Sequence, residues 1–235
     1  MNIRINAMFS TLTVTFLAVS FIFAPAPVSG ADTNAGVERE DKTNERDISE
    51  QLQRLEKKMA DFRSMRTEFT QEKNLAVFRN KIVLKGRIYV QRPNRVAWHV
   101  DKPVKYSVLI TDKFIRQWDE DTDKVQEISL SGNPVFRIVL KQMTAWFSGS
   151  FSSLQEEYHV RILQQQPFII EFAPKDRNFA KKVIKSVTVT FREDERYLSQ
   201  ITIRELSGDV TTILFENTQL NVPIDERYFR IEHRV

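Results

Sequence analysis

The chain has 235 residues, a formal net charge of +4 at pH 7 and no cysteine. The lack of cysteine excludes disulfide bonds, thiolate zinc sites and the amino-terminal lipidation of a bacterial lipoprotein, which requires that residue. The length is sufficient for one domain with a substantial apolar core.

The amino terminus has the order of features that is typical of a secretory signal peptide. Arg4 supplies positive charge, residues 7–24 form an apolar run, and small residues at 28–30 follow two prolines. This order predicts a signal peptide over 1–30, export to the periplasm, and cleavage after Gly30 or within a few residues of it. The alternative is an uncleaved anchor helix, because the apolar run approaches membrane-spanning length.

The next segment, residues 31–47, carries six acids, three bases and one larger aliphatic side chain. Such a composition buries too little apolar surface to fold and predicts a disordered acidic linker. The remaining domain, residues 48–235, then carries a charge of about +6. A basic surface suits an anionic membrane or an acidic protein, and the export signal argues against nucleic acid as the partner. A solvated surface of mixed charge is the simpler interpretation.

An amphipathic helix is predicted at the start of the domain. Asp47 is a candidate N-cap with Glu50 as its capping-box partner. Apolar residues then recur at spacings of four and three, at Ile48, Leu52, Leu55, Met59 and Phe62. This periodicity places them on one face of the helix.

The period changes to two after this helix, which predicts β-strands. Six strands are predicted before residue 131, at 67–71, 84–91, 96–100, 106–110, 115–118 and 125–130. Five more follow after residue 157, at 158–163, 168–172, 184–191, 198–206 and 210–215. Gly208-Asp209 fits a hairpin turn between the last two strands.

A helical insert separates the two groups of strands. Asn133-Pro134 is a favourable helix start, and Gly149 is a favourable helix end. One face of this predicted helix is apolar and consists of Phe136, Val139, Leu140, Met143, Trp146 and Phe147. We refer to residues 133–149 as the insert.

About eleven antiparallel strands with so little helix predict a mainly β fold. Such a sheet must curl into a barrel or half-barrel to bury one face, and the few helices can then cover its concave side. The chain has 17 Phe and three Trp. These large side chains fill a core efficiently, but a barrel of this width also encloses more space than its own side chains fill.

The sequence contains no catalytic or metal-binding pattern. His99 and Asp101 share a strand face, which is a weak metal pattern and is more simply explained as a solvated pair. Glu156 and Glu157 are adjacent strand residues and point to opposite faces. We therefore predict that the protein is not an enzyme and has neither a cofactor nor a metal.

Several short motifs occur in a fixed order along the domain. They are Phe69-Thr70-Gln71, Gly86-x-Ile88, Arg92-Pro93-Asn94, Trp98, Pro103, Asp112, Trp118, Gly208-x-x-Thr211, Ile213-x-Phe215-x-Asn217, Asn221 and Phe229-x-Ile231. In this order and spacing, over residues 48–231, they resemble the outer-membrane lipoprotein carrier family, LolA. The sequence departs from that family at Lys113, where glycine is usual, and at Arg116, where an apolar residue is usual.

The resemblance implies an incomplete, half-open barrel of eleven strands with a lid of short helices over an apolar cavity. It implies a carrier that receives acylated lipoproteins from an inner-membrane ABC transporter complex and delivers them to an outer-membrane acceptor. Arg92 matches an arginine that hydrogen-bonds the lid backbone and latches the closed state. Val96 and Trp98 would line the cavity beside this latch, and the six apolar residues of the insert would form the lid.

Two other functions remain open for a monomer with this fold. The cargo could be another acylated lipid or glycolipid that is moved by a dedicated exporter. The protein could instead be a periplasmic sensor that binds lipid or lipoprotein and regulates a partner. An enzyme is the least favoured class.

Overall fold

The computed structural model describes residues 38–77, 81–129, 145 and 149–231. Within these ranges, one helix, α1 (Glu38–Met59), precedes eleven strands. The strands are β1 (Ser64–Asn74), β2 (Ile82–Gln91), β3 (Arg95–Lys102), β4 (Tyr106–Ile110), β5 (Phe114–Asp119), β6 (Val125–Ser129), β7 (Tyr158–Gln165), β8 (Phe168–Pro174), β9 (Ile184–Phe191), β10 (Leu198–Glu205) and β11 (Val210–Leu220). None of the helices in these ranges is long and apolar enough to cross a membrane.

All eleven strands belong to one sheet in the order β6-β5-β4-β3-β2-β1-β11-β10-β9-β8-β7. Neighbouring strands are antiparallel throughout, and the first strand pairs with the last at the centre of the sheet. Strands β6 and β7 form the two edges and do not pair with each other, so the sheet is not closed into a barrel. The predicted mainly β, half-open sheet of eleven strands is confirmed.

The alternation of apolar residues decides which side of each strand is buried. In β1, for example, Met65, Thr67, Phe69 and Gln71 are buried and alternate with more exposed residues. A register slip of one residue would turn these side chains to the other face, so the pattern fixes the pairing. At Gly86 an added Cβ would lie 1.9 Å from the His99 carbonyl oxygen. The β3 backbone therefore passes too closely for any side chain at this position.

Helix α1 packs its apolar stripe on the concave face of the sheet. Leu52 and Leu55 are fully buried and Met59 is almost so, while Ile48 packs against the same core. On the flank of the helix, Lys58 Nζ lies 2.8 Å from Glu195 Oε2 in the turn between β9 and β10. The predicted stripe is confirmed from Ile48 to Met59 and covers the concave side, whereas Phe62 is buried beyond the end of the helix.

The start of α1 differs from the prediction. The helix begins at Glu38, so Asp47 is an interior helix residue and not its N-cap. Its carboxylate accepts a hydrogen bond from Gln51 Nε2 instead, at 2.9 Å, and Arg46 pairs with Glu50 at 3.5 Å. Contacts four residues apart stabilise a helix even where it is polar on all sides. The charged residues that indicated a linker are therefore compatible with a helical extension.

The opposite, convex face carries a second apolar layer. Residues 222–231, which we call the carboxyl-terminal strap, follow β11 and cross this face. Phe229 and Ile231 of the strap bury three outward-facing residues of β2, β3 and β4, namely Tyr89, Ala97 and Leu109. The sheet is therefore covered on both sides around β2–β4.

Candidate functional site

The concave face of the sheet is an apolar surface built from alternate residues of many strands. Around β3 it includes Trp98 and Val96, which are 2% and 7% exposed. In register beside them lie Ile88 of β2 and Val108 and Ile110 of β4. The predicted cavity residues Val96 and Trp98 thus lie on the concave face. The Trp98 ring also meets Phe69 of β1, with 4.8 Å between the ring centroids.

Arg92 lies in the turn between β2 and β3, at the end of α1. Its guanidinium donates hydrogen bonds to the carbonyl oxygens of Met59 and Ala60, at 3.3 and 3.4 Å. The same group lies 4.3 Å from the centroid of the Phe62 ring. Carbonyl groups at a helix end lack partners within the helix and attract cations, so Arg92 fixes the last turn of α1 to the sheet.

The electrostatic setting of Arg92 is consistent with this role. Burial lowers the pKa of Arg92, because the guanidinium has lost part of its hydration. The two carbonyl oxygens and the Phe62 ring face replace some of the water that it gives up. Among the described residues, Arg92 contacts α1 and the segment that follows it.

The carboxyl-terminal end of the insert meets the same turn of α1. Ala145 is buried in the main core, and Ser150 donates its backbone N–H to the Ala145 carbonyl oxygen at 3.0 Å. Gly149 has a φ of +77° and lies so close to Met59 that an added Cβ would be 2.9 Å from Met59 Cβ. A helix commonly ends at a glycine in the left-handed conformation whose next residue donates its N–H to the carbonyl group five residues back. Gly149 and Ser150 have this arrangement, as the sequence predicted for Gly149. The side chain of Met59 therefore contacts the insert, and its carbonyl group accepts a hydrogen bond from Arg92.

All six predicted lid residues lie outside the described residues. They are Phe136, Val139, Leu140, Met143, Trp146 and Phe147. The hydrogen bond from Arg92 to the backbone of the insert, which the resemblance implies, likewise stays a prediction. The structure adds an indirect connection between the two, through Met59.

A cleft of about 650 Å³ lies on the convex face, between the strap and the outer side of β2–β5. The rings of Tyr89 and Tyr228 stack there, with 4.1 Å between their centroids and 12° between their planes. Near the strap's start, Arg95 donates hydrogen bonds to both carboxylate oxygens of Glu226, at 2.9 and 2.7 Å. This site was not predicted from the sequence, because Phe229-x-Ile231 is a weak signal by itself. The apolar outward residues Tyr89, Ala97 and Leu109 were the signal that could have revealed it.

His99 connects the strap to the floor of this cleft. Its Nε2 lies 2.8 Å from the Tyr228 carbonyl oxygen, and its Nδ1 lies 2.8 Å from Ser107 Oγ. A carbonyl oxygen only accepts, so Nε2 carries the proton and Nδ1 of the neutral ring accepts from the Ser107 hydroxyl. Burial lowers the pKa of His99 and favours this neutral form.

A hydroxyl bonded to an imidazole is also the arrangement of a nucleophile and its general base. In such sites a further group, usually a carboxylate, orients the imidazole. Here a backbone carbonyl of the strap takes that place, and His99 and Ser107 are paired residues of neighbouring strands. The contact thus has a structural explanation, which is that it fastens the strap to the sheet.

These features define a class of protein, an open β-sheet whose apolar concave face is covered by a helix. The family model described as outer membrane lipoprotein carrier protein LolA matches residues 60–232. That range is more than half of the chain, and the protein therefore belongs to the LolA family.

Curated relatives carry the same family name. A Pseudomonas putida protein named outer-membrane lipoprotein carrier protein is 22% identical over 151 residues, which cover 63% of this chain and 67% of the relative. A Coxiella burnetii protein of the same name is 23% identical over 142 residues, which cover 56% of this chain and 65% of the relative. The chain thus spans about two thirds of the length of these relatives.

Solved structures show the same fold at low sequence identity. An uncharacterized conserved protein from Thermus thermophilus has a TM-score of 0.52 at 10% identity, covering 80% of this chain and 96% of its own. The Pseudomonas aeruginosa MucA/MucB complex has a TM-score of 0.50 at 13% identity, covering 79% of this chain and 61% of its own. These similarities support the fold.

Proposed function

We propose that this protein is a periplasmic, monomeric carrier that binds the acyl chains of lipoproteins and shuttles them from the inner to the outer membrane. The observation that carries the proposal is the apolar concave face, on which Trp98, Val96 and Phe69 lie below a helical cover. The names of the curated relatives support a lipoprotein as the cargo. An inner-membrane ABC transporter complex would load the carrier, and an outer-membrane acceptor would unload it.

The chemistry of the cargo explains why a covered apolar face is needed. Each buried methylene group of an acyl chain contributes about 0.8 kcal/mol, so acyl chains do not leave a membrane without an alternative apolar environment. A carrier must provide that environment and also release the chains at the target membrane. A cover that competes with the cargo for the same apolar surface meets both requirements.

In this proposal α1 and the insert together form the cover. Arg92 holds the end of α1 through the Met59 and Ala60 carbonyl groups, and Met59 contacts the end of the insert. The apolar residues of the insert would complete the cover, namely Phe136, Val139, Leu140, Met143, Trp146 and Phe147. Arg92 would then stabilise the closed, cargo-free state.

Two alternatives keep this fold and change its use. The first is transport of another acylated lipid or glycolipid, since an apolar face does not specify the group that its ligand carries. The second is a periplasmic sensor, which is favoured by the similarity to a protein solved in complex with MucA. Mass spectrometry of the molecules that co-purify with the protein distinguishes lipoprotein, free lipid and protein partner.

The two described tryptophans allow a direct test, because they lie on opposite sides of the sheet. Trp98 belongs to the concave core, whereas Trp118 packs against the convex cluster. The substitutions Trp118→Phe and Trp146→Phe together leave Trp98 as the single reporter. The matched control carries Trp98→Phe and Trp146→Phe and leaves Trp118.

Each protein is titrated with a synthetic diacylated peptide whose acyl chains are brominated, since bromine quenches tryptophan fluorescence on contact. We expect saturable quenching of Trp98 and little quenching of Trp118. The same peptide without acyl chains should quench neither. Equal quenching of both tryptophans, or quenching of Trp118 alone, would remove the concave face as the acyl-binding surface.

A further inference from the structure

Two large aliphatic side chains stand exposed at one end of the sheet. Val77, which follows β1, is 83% exposed, and Leu206, which follows β10, is 58% exposed. Their loops are in contact, because Ala76 donates its backbone N–H to Asp209 Oδ1 at 2.9 Å. We call residues 75–77 and 206–209 the loop tip.

The backbone of the loop tip is held by a largely buried ion pair and by hydrogen bonds. Lys73 Nζ lies 2.9 Å from Glu205 Oε1 and 3.9 Å from Asp209 Oδ2, which ties the two hairpins together. Leu206 donates its backbone N–H to the Val183 carbonyl oxygen at 2.8 Å. A partly buried ion pair is screened less than one in water, so it holds the loops at physiological salt. The aliphatic side chains are thus presented on an ordered backbone.

Basic residues flank the loop tip. The partner of Leu206, Val183, stands between exposed Lys181 and Lys182 on one side and exposed Lys185 on the other. Lys81, which follows the first loop, is exposed as well and pairs with Glu72 at 2.7 Å. The nearest acid to Lys181 is Asp176, at 3.6 Å. With the groups of the loop tip included, five lysines (Lys73, Lys81, Lys181, Lys182 and Lys185) stand against four acids (Glu72, Asp176, Glu205 and Asp209), so the surroundings of the two aliphatic side chains carry an excess of one positive charge.

This combination matches the interface of an anionic bilayer. Aliphatic side chains enter the boundary between headgroups and acyl chains, while lysines extend their ammonium groups to the lipid phosphates. A stable protein partner would cover about 800 Å² on each side, and two side chains on a loop tip offer much less. We propose that the loop tip docks the protein on the surface of an anionic membrane.

This docking is separate from the proposed cargo function. It would also orient the rest of the molecule relative to the membrane. Strand β1 runs from Ser64, beside the Arg92 turn, to Asn74, beside the loop tip. Its 11 residues span about 35 Å at about 3.3 Å each. A protein docked by the loop tip would therefore hold Arg92 and the end of α1 at its far end.

The lack of cysteine makes a site-specific test straightforward. Three single-cysteine variants, Val77→Cys, Leu206→Cys and the control Leu163→Cys, are labelled with an environment-sensitive NBD fluorophore. Leu163 is a matched control, because it is 51% exposed but lies on the edge strand β7. The labelled proteins are mixed with vesicles of phosphatidylcholine alone or with one quarter phosphatidylglycerol. The apolar run at residues 7–24 is common to all three variants and cannot produce a difference between labels.

We expect a blue shift and increased emission at positions 77 and 206 with the anionic vesicles, and no change at 163. Lys181→Gln, Lys182→Gln and Lys185→Gln should each weaken vesicle binding by about fivefold. Binding should also weaken as salt is raised. An unchanged spectrum at position 77 with anionic vesicles, or an equal shift at position 163, would overturn the proposal. So would binding that is insensitive to all three lysines.

Discussion

Arg92 shows how much of a residue's role depends on partners that are distant in the sequence. From its neighbours alone it is a basic residue at a strand end before a turn proline. Its contacts with Met59, Ala60 and Phe62 arise because β2 ends where α1 ends. The family resemblance singled out the residue, but no local pattern indicates that it binds the end of a helix.

Replacing Arg92 by leucine should slow the release of cargo more than its uptake. The substitution removes charge-assisted hydrogen bonds that are together worth about 1.5–3 kcal/mol. The closed, cargo-free state should then fall by about 10- to 100-fold relative to the open state. Less competition from the cover means tighter holding of acyl chains. A transfer assay from loaded carrier to an outer-membrane acceptor measures this effect.

Two further variants separate the latch from general effects on the hairpin. Arg92→Lys should be intermediate, because a point charge cannot reproduce the guanidinium fork. Arg95→Leu removes an arginine from the same hairpin that contacts the strap and not α1, and it should leave release unchanged. If Arg92→Leu released cargo as fast as the wild-type protein, the latch would be wrong and the carrier function would stand.

At the scale of elements, the periodicity of apolar residues predicted which side chains of the strands and of α1 are buried. The eleven strands and the stripe of α1 follow from alternation with periods of two and of three to four. The strap was missed because it has almost no regular structure, apart from the short 3₁₀ helix Glu226–Phe229. Its position depends on pairing with Tyr89, Ala97 and Leu109, which a single sequence does not reveal.

The strap should make the stability of the protein depend on pH. Unfolded, His99 has a pKa of about 6.5, and burial lowers this pKa in the folded state. Between the two values the unfolded chain binds more protons, so the free energy of unfolding falls as the pH falls. We expect the melting temperature to decrease from pH 7.5 to pH 5.5, with part of the decrease due to His99.

The contribution of His99 is isolated by comparing slopes of melting temperature against pH. His99→Gln keeps a side chain that can donate to the Tyr228 carbonyl but cannot titrate, and it should flatten the profile. His159→Gln changes an exposed residue of the edge strand β7 and should leave the profile as in the wild-type protein. Identical slopes for His99→Gln and the wild-type protein would mean that the strap does not sense protonation.

At the scale of the whole molecule, strand count and fold class could be predicted, whereas the pairing at the centre could not. Turns predict that consecutive strands pair, as β2 and β3 do. The pairing of β1 with β11 joins residues such as Phe69 and Phe215, which are far apart in the chain. No local signal encodes such a pair. The strand count predicted a barrel or half-barrel, and the resemblance to a family implied that the barrel is incomplete.

The proposed periplasmic location can be tested on a chain that includes residues 1–30. Export with removal of residues 1–30 should yield a protein whose mass begins at Ala31 or within a few residues of it. Leu17→Arg breaks the apolar run and should leave uncleaved chain in the cell. Intact-mass analysis of the periplasmic fraction measures both. A chain that keeps Met1 and sediments with membranes would show an anchor helix instead.

The two open edges of the sheet affect how the width of its concave side can change. In a closed barrel the strand number and shear fix the radius, and a wider interior requires another strand. Here β6 and β7 share no hydrogen bonds, so the gap between them can widen or narrow through small changes of twist spread over eleven strands. For the proposed carrier, an open sheet would therefore allow the concave face to adapt to acyl chains of different size while every pairing between neighbouring strands is kept.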